Sequence, residues 1–594
     1  MFSKKLAVVA LFVLMMPFFA ACGPETPAAN PTATTGPAAE ATATTAPAVD
    51  ATATTGTAEG TATTGSGGEV AVPAGAFSWR AYAEPETMDP ALMQENLSIE
   101  IGQNVYDSLV EFDPLTLKIQ PALAEALPEV SADGTVYTFK LRKDAKFSNG
   151  DPVTSADVKY SWNRALTTPA APYLFVMDDI KGAQEVVAST TSTDTTKPKV
   201  TEATGIETPD AQTVKITLKN PSAYFLSQLT VWTYYVVNKK AVDKGGEWMI
   251  GPGAGTGAYY IESWKHDQSL SLKPNTNYWG AEKATVDAFV PIIKDTTTAQ
   301  AQFERGDLSV LDAPSPADLE RIQKDATLGK QLFKVGQARA VWIGLNVMKG
   351  PFSPLNDEKA MKLRQAISYA IDRDQLIELA LSGAAQPLTT LMPEGEPCFA
   401  KADIYPFDAA KAKQLLSEAG YPNGQGLSLT YTYRQRDAEQ RVAEQIQAQL
   451  KENLGLDIKV AGVEWKDMLA ARQDHQYEMF YGSWGHDYPD PQNWFYALFH
   501  SSQIKGVGPG SGNDPGYKND EFDKLVAQAN VLADPTKFAE RCKLYQQAEQ
   551  ILLKDAPLVP LYQVTRYWES SPKFTGYAAN NSFAYPFRMV KPAK

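Results

Sequence analysis

Between residues 23 and 68 the chain has almost nothing to bury: only Glu25, Asn30, Glu40, Val49, Asp50 and Glu59 are not Ala, Thr, Pro, Gly or Ser. The tetrapeptide Thr-Ala-Thr-Thr recurs from Thr32, Thr42, Thr52 and Thr61. A segment so poor in large apolar side chains cannot offset the entropy of ordering its backbone, so it is read as a disordered tether. Its root-mean-square reach is about 35–40 Å, from ~5–6 Å times the square root of its length. Any packed body must begin after it.

What precedes the tether reads as a delivery signal. Lys4 and Lys5 are followed by apolar or small residues from 6 to 21. As a helix that run spans about 24 Å, short of the ~30 Å hydrocarbon core of a bilayer. It ends in Phe19-Ala20-Ala21-Cys22. This resembles a bacterial lipoprotein signal, in which the cysteine, here Cys22, becomes the lipidated first residue of the mature chain. The rival readings are an ordinary secretory signal cleaved nearby and an uncleaved anchor.

Composition then excludes several functions. With 55 Lys and Arg against 69 Asp and Glu, the net charge is −14, and no long basic run exists to grip phosphate backbones. No nucleic-acid partner is expected. Three cysteines, Cys22, Cys398 and Cys542, are too few for a disulfide scaffold. Cys398 and Cys542 could pair, but two unpaired small apolar side chains is the simpler reading. The four histidines, His266, His475, His486 and His500, are too scattered for a metal cage. HExxH, CxxC, GxSxG, GxGxxG and Walker A signatures are all absent, so neither a metal nor a cofactor is expected.

Beyond about residue 76 strands and amphipathic helices alternate. Residues 135–141 read as a strand, with Val136, Tyr137 and Phe139 following an Asp133-Gly134 turn. Residues 155–165 read as a helix with Ser155 as N-cap. Two strands at 427–433 and 456–460 bracket a helix over 437–453, where Val442, Ile446, Leu450 and Leu454 recur every four residues before Gly455. A strand–helix–strand unit of this kind predicts an α/β fold.

The stretch 121–164 is more specific. It contains Leu123-Ala124-Glu125, then Asp133-Gly134 with Tyr137-Thr138-Phe139, then Lys140-Leu141-Arg142 with Lys146-Phe147, Gly150 and Pro152, and finally Thr154, Asp157-Val158 and Trp162. This pattern resembles the extracellular solute-binding proteins of family 5, the dipeptide- and oligopeptide-binding subunits of ABC importers. Six further blocks, 83–90, 205–218, 255–280, 343–373, 464–491 and 545–562, match in the family's order. The resemblance implies a periplasmic-binding-protein-like type II fold, with two hinged lobes and an inserted extra domain. Lobe I is expected at 69–96, 217–340 and 558–594, the inserted domain at 97–216 and lobe II at 341–557. Hinge crossings fall near 340 and 557. Tyr137, Phe139, Phe147 and Trp162 are expected to be core residues.

The resemblance also implies ligand contacts. In peptide-binding relatives the Asp of a Trp-x-x-Asp segment takes the α-ammonium of the peptide, which maps onto Trp484 and Asp487. A turn or N-cap role ahead of Pro489 is the alternative. Trp465 falls where relatives pack an aromatic on a ligand side chain, although core packing fits it equally. Glu84 and Pro85 fall where relatives offer an extended strand to the ligand backbone. Tyr106 and Tyr562 are candidates for the cleft wall. Tyr481 replaces an Arg that holds the carboxylate of short peptides in some relatives, and Arg434, Arg436, Arg441 and Arg472 are the lobe II alternatives. His486 reads as a cleft or surface residue.

The expected function is therefore a non-enzymatic, monomeric, lipid-anchored peptide-binding subunit working with an ABC permease and its ATPase subunits outside the cytoplasm. The same fold could instead carry nickel, haem, an opine or an oligosaccharide. Rivals of other classes are a secreted glycoside hydrolase with paired carboxylates and a lipid-tethered adhesin.

Overall fold

The computed structural model describes residues 71–594 apart from 194, 195, 197, 508–511 and 583–585. The signal at 1–22, Cys22 and the tether at 23–68 lie outside the described residues. Among the described residues no helix is long and apolar enough to cross a membrane.

The chain opens with a short strand β1 (Phe77–Ser78) and then builds a separate four-stranded sheet. That sheet contains β2 (Glu129–Val130), β3 (Val136–Lys140), β4 (Ile206–Asp210) and β5 (Thr213–Thr217), in the order β2-β3-β5-β4. Gly134 makes the turn into β3 at φ +71°, where a side chain would be strained. Tyr137 and Phe139 then point to the same face and are buried, as are Phe147 and Trp162. Helix α1 (Ser155–Thr167) covers the sheet. Its N-cap is Thr154 rather than Ser155: the Thr154 amide and hydroxyl reach Asp157 Oδ2 at 2.8 and 2.7 Å, a capping-box geometry that starts the helix one residue earlier than expected. Ser155 instead donates its hydroxyl to the Asp210 carbonyl at 2.6 Å.

The chain then returns to β1. Strands β6 (Tyr259–Lys265), β7 (Ser269–Pro274) and β8 (Ala288–Pro291) complete a four-stranded sheet in the order β1-β8-β7-β6. One continuous core joins both sheets, from Phe77 and Trp79 through Phe139 and Trp162 to Tyr259 and Phe587. The segment at 97–216 thus shares its apolar interior with the parts of the chain on either side of it.

A seven-stranded mixed sheet forms the rest: β9 (Val310–Asp312), β10 (Leu332–Leu345), β11 (Ala385–Pro387), β12 (Thr430–Arg434), β13 (Lys459–Val463), β14 (Met479–Gly485) and β15 (Leu558–Ser570). Its order is β9-β15-β10-β14-β12-β13, with β11 also pairing β15. Helix α2 (Asp437–Leu454) makes the crossover between parallel β12 and β13, and Val442, Ile446, Leu450 and Leu454 are buried beneath it. Gly455 ends it at φ +72°, with the Leu456 amide on the Leu450 carbonyl at 3.2 Å. Because that closure uses Leu456, and Leu427 still sits in a turn from Gly424, both strands start three residues later than the sequence pattern places them.

Strands β10 and β15 run antiparallel through the whole length of the sheet, one end paired with β9 and the other with β14 and β11. Their register slips between Gly336 and Ala340. This bulge lies at the expected crossing near 340, and β15 begins one residue after 557.

Candidate functional site

Strand β14 ends at Gly485, and the prolines that follow, Pro489 and Pro491, cannot continue a ladder. The chain turns there into helix α4 (Gln492–Phe499), leaving two aspartates in the turn. They have different duties. Asp490 is buried; its Oδ1 accepts the Gln492 amide at 2.9 Å, and Arg541 grips it from α5 (Phe538–Asp555) at 2.6 and 2.7 Å. Asp490 therefore holds the helix start, which is the role weighed for Asp487.

Asp487 instead lines a cleft of about 600 Å³. One wall carries Trp79, Glu100, Tyr173, Trp232 and Asp312, and the other carries Arg339, His486 and Asp487. The Asp487 amide donates to Asn493 Oδ1 at 2.9 Å, and Asn493 Nδ2 donates back to Asp487 Oδ2 at 3.0 Å. Across the cleft stands Tyr173, whose hydroxyl is near enough to the same carboxylate for each to shift the other's ionisation. Burial pushes the Asp487 pKa up, opposed by the Asn493 bond, nearby His486 and Tyr173. Among the described residues no Lys or Arg forms an ion pair with Asp487.

The other expected residues are dispersed. Trp484 is half-buried behind Asp487 and gives its indole N–H to Asn493 Oδ1 at 3.0 Å. Trp465 opens helix α3 (Trp465–Gln473), 37% exposed, with the Arg434 and Arg472 guanidinium carbons each 5.5 Å from its ring. Tyr481 and Tyr562 are buried, and Arg434 lies 5.6 Å from the Tyr481 ring. Tyr106 is buried with its hydroxyl on the Met88 carbonyl at 2.8 Å. The Glu84 carboxylate faces the β6–β7 hairpin, accepting from Trp264 Nε1 at 2.7 Å and the Asp267 amide at 2.9 Å. Pro85 is buried beside it; neither Glu84 nor Pro85 is among the residues that line the cleft.

Three of the lobe II arginines are already engaged. Arg434 pairs with Glu439, Arg441 donates to the Ala380 carbonyl at 3.0 Å, and Arg472 pairs with Asp514 at 2.7 Å. Arg436 stands at the N-cap of α2.

Cleft residues that the sequence reading missed come from distant segments. Arg339 projects from the β10 bulge, exposed, with its Nε 3.4 Å from Ser483 Oγ. Arg566 is clamped by Glu100 at 2.7 Å and Asp312 at 3.0 Å. Behind His486, buried Glu396 takes the His486 Nδ1 at 2.9 Å and the Trp494 indole N–H at 3.0 Å. Two residues on, Cys398 forms a disulfide with Cys542 of α5, correcting the reading of two unpaired side chains. The two Cα atoms are 4.8 Å apart because the 393–400 loop lies against α5, a contact between positions 144 residues apart. Nothing local in the sequence marked Tyr173, Arg339 or Glu396.

Comparison with known proteins places this geometry. The chain is 29% identical over 517 residues to the periplasmic murein peptide-binding protein MppA of Escherichia coli, covering 84% of this chain and 89% of the relative. It is 31% identical over 517 residues to haem-binding protein A of Haemophilus influenzae, again covering 84% and 89%. The structure matches the unliganded open form of a periplasmic murein tripeptide-binding protein with a TM-score of 0.75 and 27% identity, covering 88% of this chain and 98% of that one. The fold is that of type II periplasmic binding proteins: α/β, with two hinged lobes and an inserted extra domain. The model of the bacterial extracellular solute-binding proteins, family 5 middle, matches residues 118–506. With the fold, the order of matching blocks and the cleft all in agreement, the chain belongs to family 5 of the bacterial extracellular solute-binding proteins.

Proposed function

We propose that this chain is the substrate-binding subunit of an ABC importer, capturing di- or oligopeptides outside the membrane and delivering them to a permease powered by its ATPase subunits. It performs no chemistry on its cargo. The observation that carries the reading is the division of labour between Asp490 and Asp487: the first is neutralised by Arg541, while the second faces the cleft with no Lys or Arg paired to it among the described residues. An ammonium entering a poorly hydrated cleft needs a fixed carboxylate, or its desolvation goes uncompensated. Asp487 meets that need for a peptide amino terminus, a charge-assisted contact of about 1.5–3 kcal/mol. Arg339, which has no ion pair among the described residues, suits the ligand carboxylate.

Closure bends the molecule where the β10–β15 register slips, so that Tyr173 and Asp487 trap the ligand between them. The protein works as a monomer, lipid-anchored through Cys22, with 23–68 as its leash. A haem cargo, suggested by one relative, is less well served: His486 is turned onto buried Glu396 with its side chain only 3% exposed.

Native mass spectrometry of the purified mature protein tests this reading, followed by calorimetry with the cargo it identifies. A one-to-one complex with peptide masses, recovered unchanged, is expected. Haem, nickel or a sugar as cargo, or cleavage of the peptide, overturns it.

A further inference from the structure

A second, smaller cavity of about 80 Å³ opens beside Asp487. It shares Ile99, Trp232 and Asp487 with the main cleft, so the two adjoin at those three side chains. The volume is several times the ~10–15 Å³ that one water requires. Its charged lining comes from Asp107, Glu111 and Arg588, besides the shared Asp487. Arg588 Nη2 reaches both Glu111 oxygens at 3.3 Å, so these two charges answer each other.

Asp107 has no salt bridge of its own, although the Arg588 charge acts on it through space. It is only 6% exposed, and both of its donors, Thr256 Oγ1 at 2.8 Å and Trp279 Nε1 at 2.9 Å, converge on Oδ2. Among the described residues no donor reaches Oδ1. A carboxylate at the wall of a cavity, with one oxygen left to that cavity, can take a donor from a ligand, and a cationic donor suits it best.

We propose that this cavity is a side-chain subsite selective for a positively charged residue at the amino terminus of the bound peptide, with Asp107 as its specificity-determining group. The inference rests on Asp487 holding the peptide's α-ammonium: that contact sets the first residue at the mouth of the cavity, and its side chain enters. Neutral side chains would leave the remaining Asp107 oxygen to water, whereas an ammonium or guanidinium supplies it with a charged donor. Burial, reinforced by Glu111, pushes the Asp107 pKa up to about 6, against the Trp279 and Thr256 hydrogen bonds and the Arg588 charge.

Titration calorimetry with Lys-Ala-Ala and the near-isosteric norleucine-Ala-Ala at neutral pH tests the proposal. Lys-Ala-Ala should bind about tenfold tighter, the worth of one charge-assisted hydrogen bond. In Asp107→Asn, which keeps an acceptor for Thr256 and Trp279, the preference should vanish while norleucine-Ala-Ala binds as before. Equal binding of the two peptides by the unmutated protein overturns the subsite and leaves the Asp487 reading intact. A preference that persists in Asp107→Asn also overturns it. Failure of both peptides to bind overturns the subsite together with the peptide reading on which it rests.

Discussion

Asn493 holds Asp487 at both ends, accepting its backbone amide on Oδ1 at 2.9 Å and donating from Nδ2 to its carboxylate at 3.0 Å. The same Oδ1 takes the Trp484 indole N–H at 3.0 Å, so one amide side chain in the first turn of α4 fixes the end of β14 and the ligand-facing carboxylate together. Asn493→Ala removes all three bonds without replacing a cleft-lining residue. Leaving those groups unpaired is expected to cost about 1–3 kcal/mol of stability, and a loosened Asp487 to weaken peptide binding about tenfold. Urea denaturation and calorimetry on one preparation check both. Unchanged affinity would mean that Asp487 needs no such support.

The Cys398–Cys542 bond closes a loop of 144 residues, and constraint of the unfolded chain should stabilise the fold by about 2–5 kcal/mol. Cys398 lies two residues from Glu396, whose carboxylate holds His486 next to Asp487. Reduction, or Cys542→Ser, is therefore expected to lower the urea midpoint and also to weaken ligand binding. A stability loss with undiminished affinity would separate the disulfide from the site.

Glu549 is buried, and both the Leu391 and the Met392 amides donate to its Oε1 at 2.8 and 3.2 Å. Burial pushes its pKa up to about 7, against those bonds. The folded state thus holds this proton more tightly than the unfolded state. Its contribution is fully favourable below the ordinary Glu value near 4.5 and is lost as pH rises towards 7. Glu549→Gln should shrink the stability difference between pH 5 and pH 8 by up to about 3 kcal/mol, at ~1.4 kcal/mol per pH unit. Denaturation curves at the two pH values decide it, and an unchanged difference would contradict the shift.

Local features were readable from sequence where local forces decide them. The turn at Gly134, the alternation of Tyr137 and Phe139 and the four-residue repeat along α2 each depend on neighbours a few residues away. The Thr154 cap was misplaced by one residue because Thr154 and Ser155 are both competent caps, and only the Asp157 contact separates them. Asp487 and Asp490 sit in one turn with similar neighbours. What distinguishes them is Arg541, 51 residues further along the chain. The disulfide, the Glu396–His486 pair and the placing of Tyr173 opposite Asp487 likewise follow from tertiary packing, which leaves no periodic trace.

Peptide capture depends on Asp487 receiving the amino terminus, and calorimetry comparing a free peptide with its N-acetylated form measures that contact alone. The unmutated protein should bind the free peptide tightly and the acetylated one poorly. Asp487→Ala should cost the free peptide about 2–5 kcal/mol, the usual penalty for removing one partner of a buried charge pair, and so erase the discrimination. Equal affinity of the unmutated protein for the two peptides would mean that Asp487 does not receive the amino terminus.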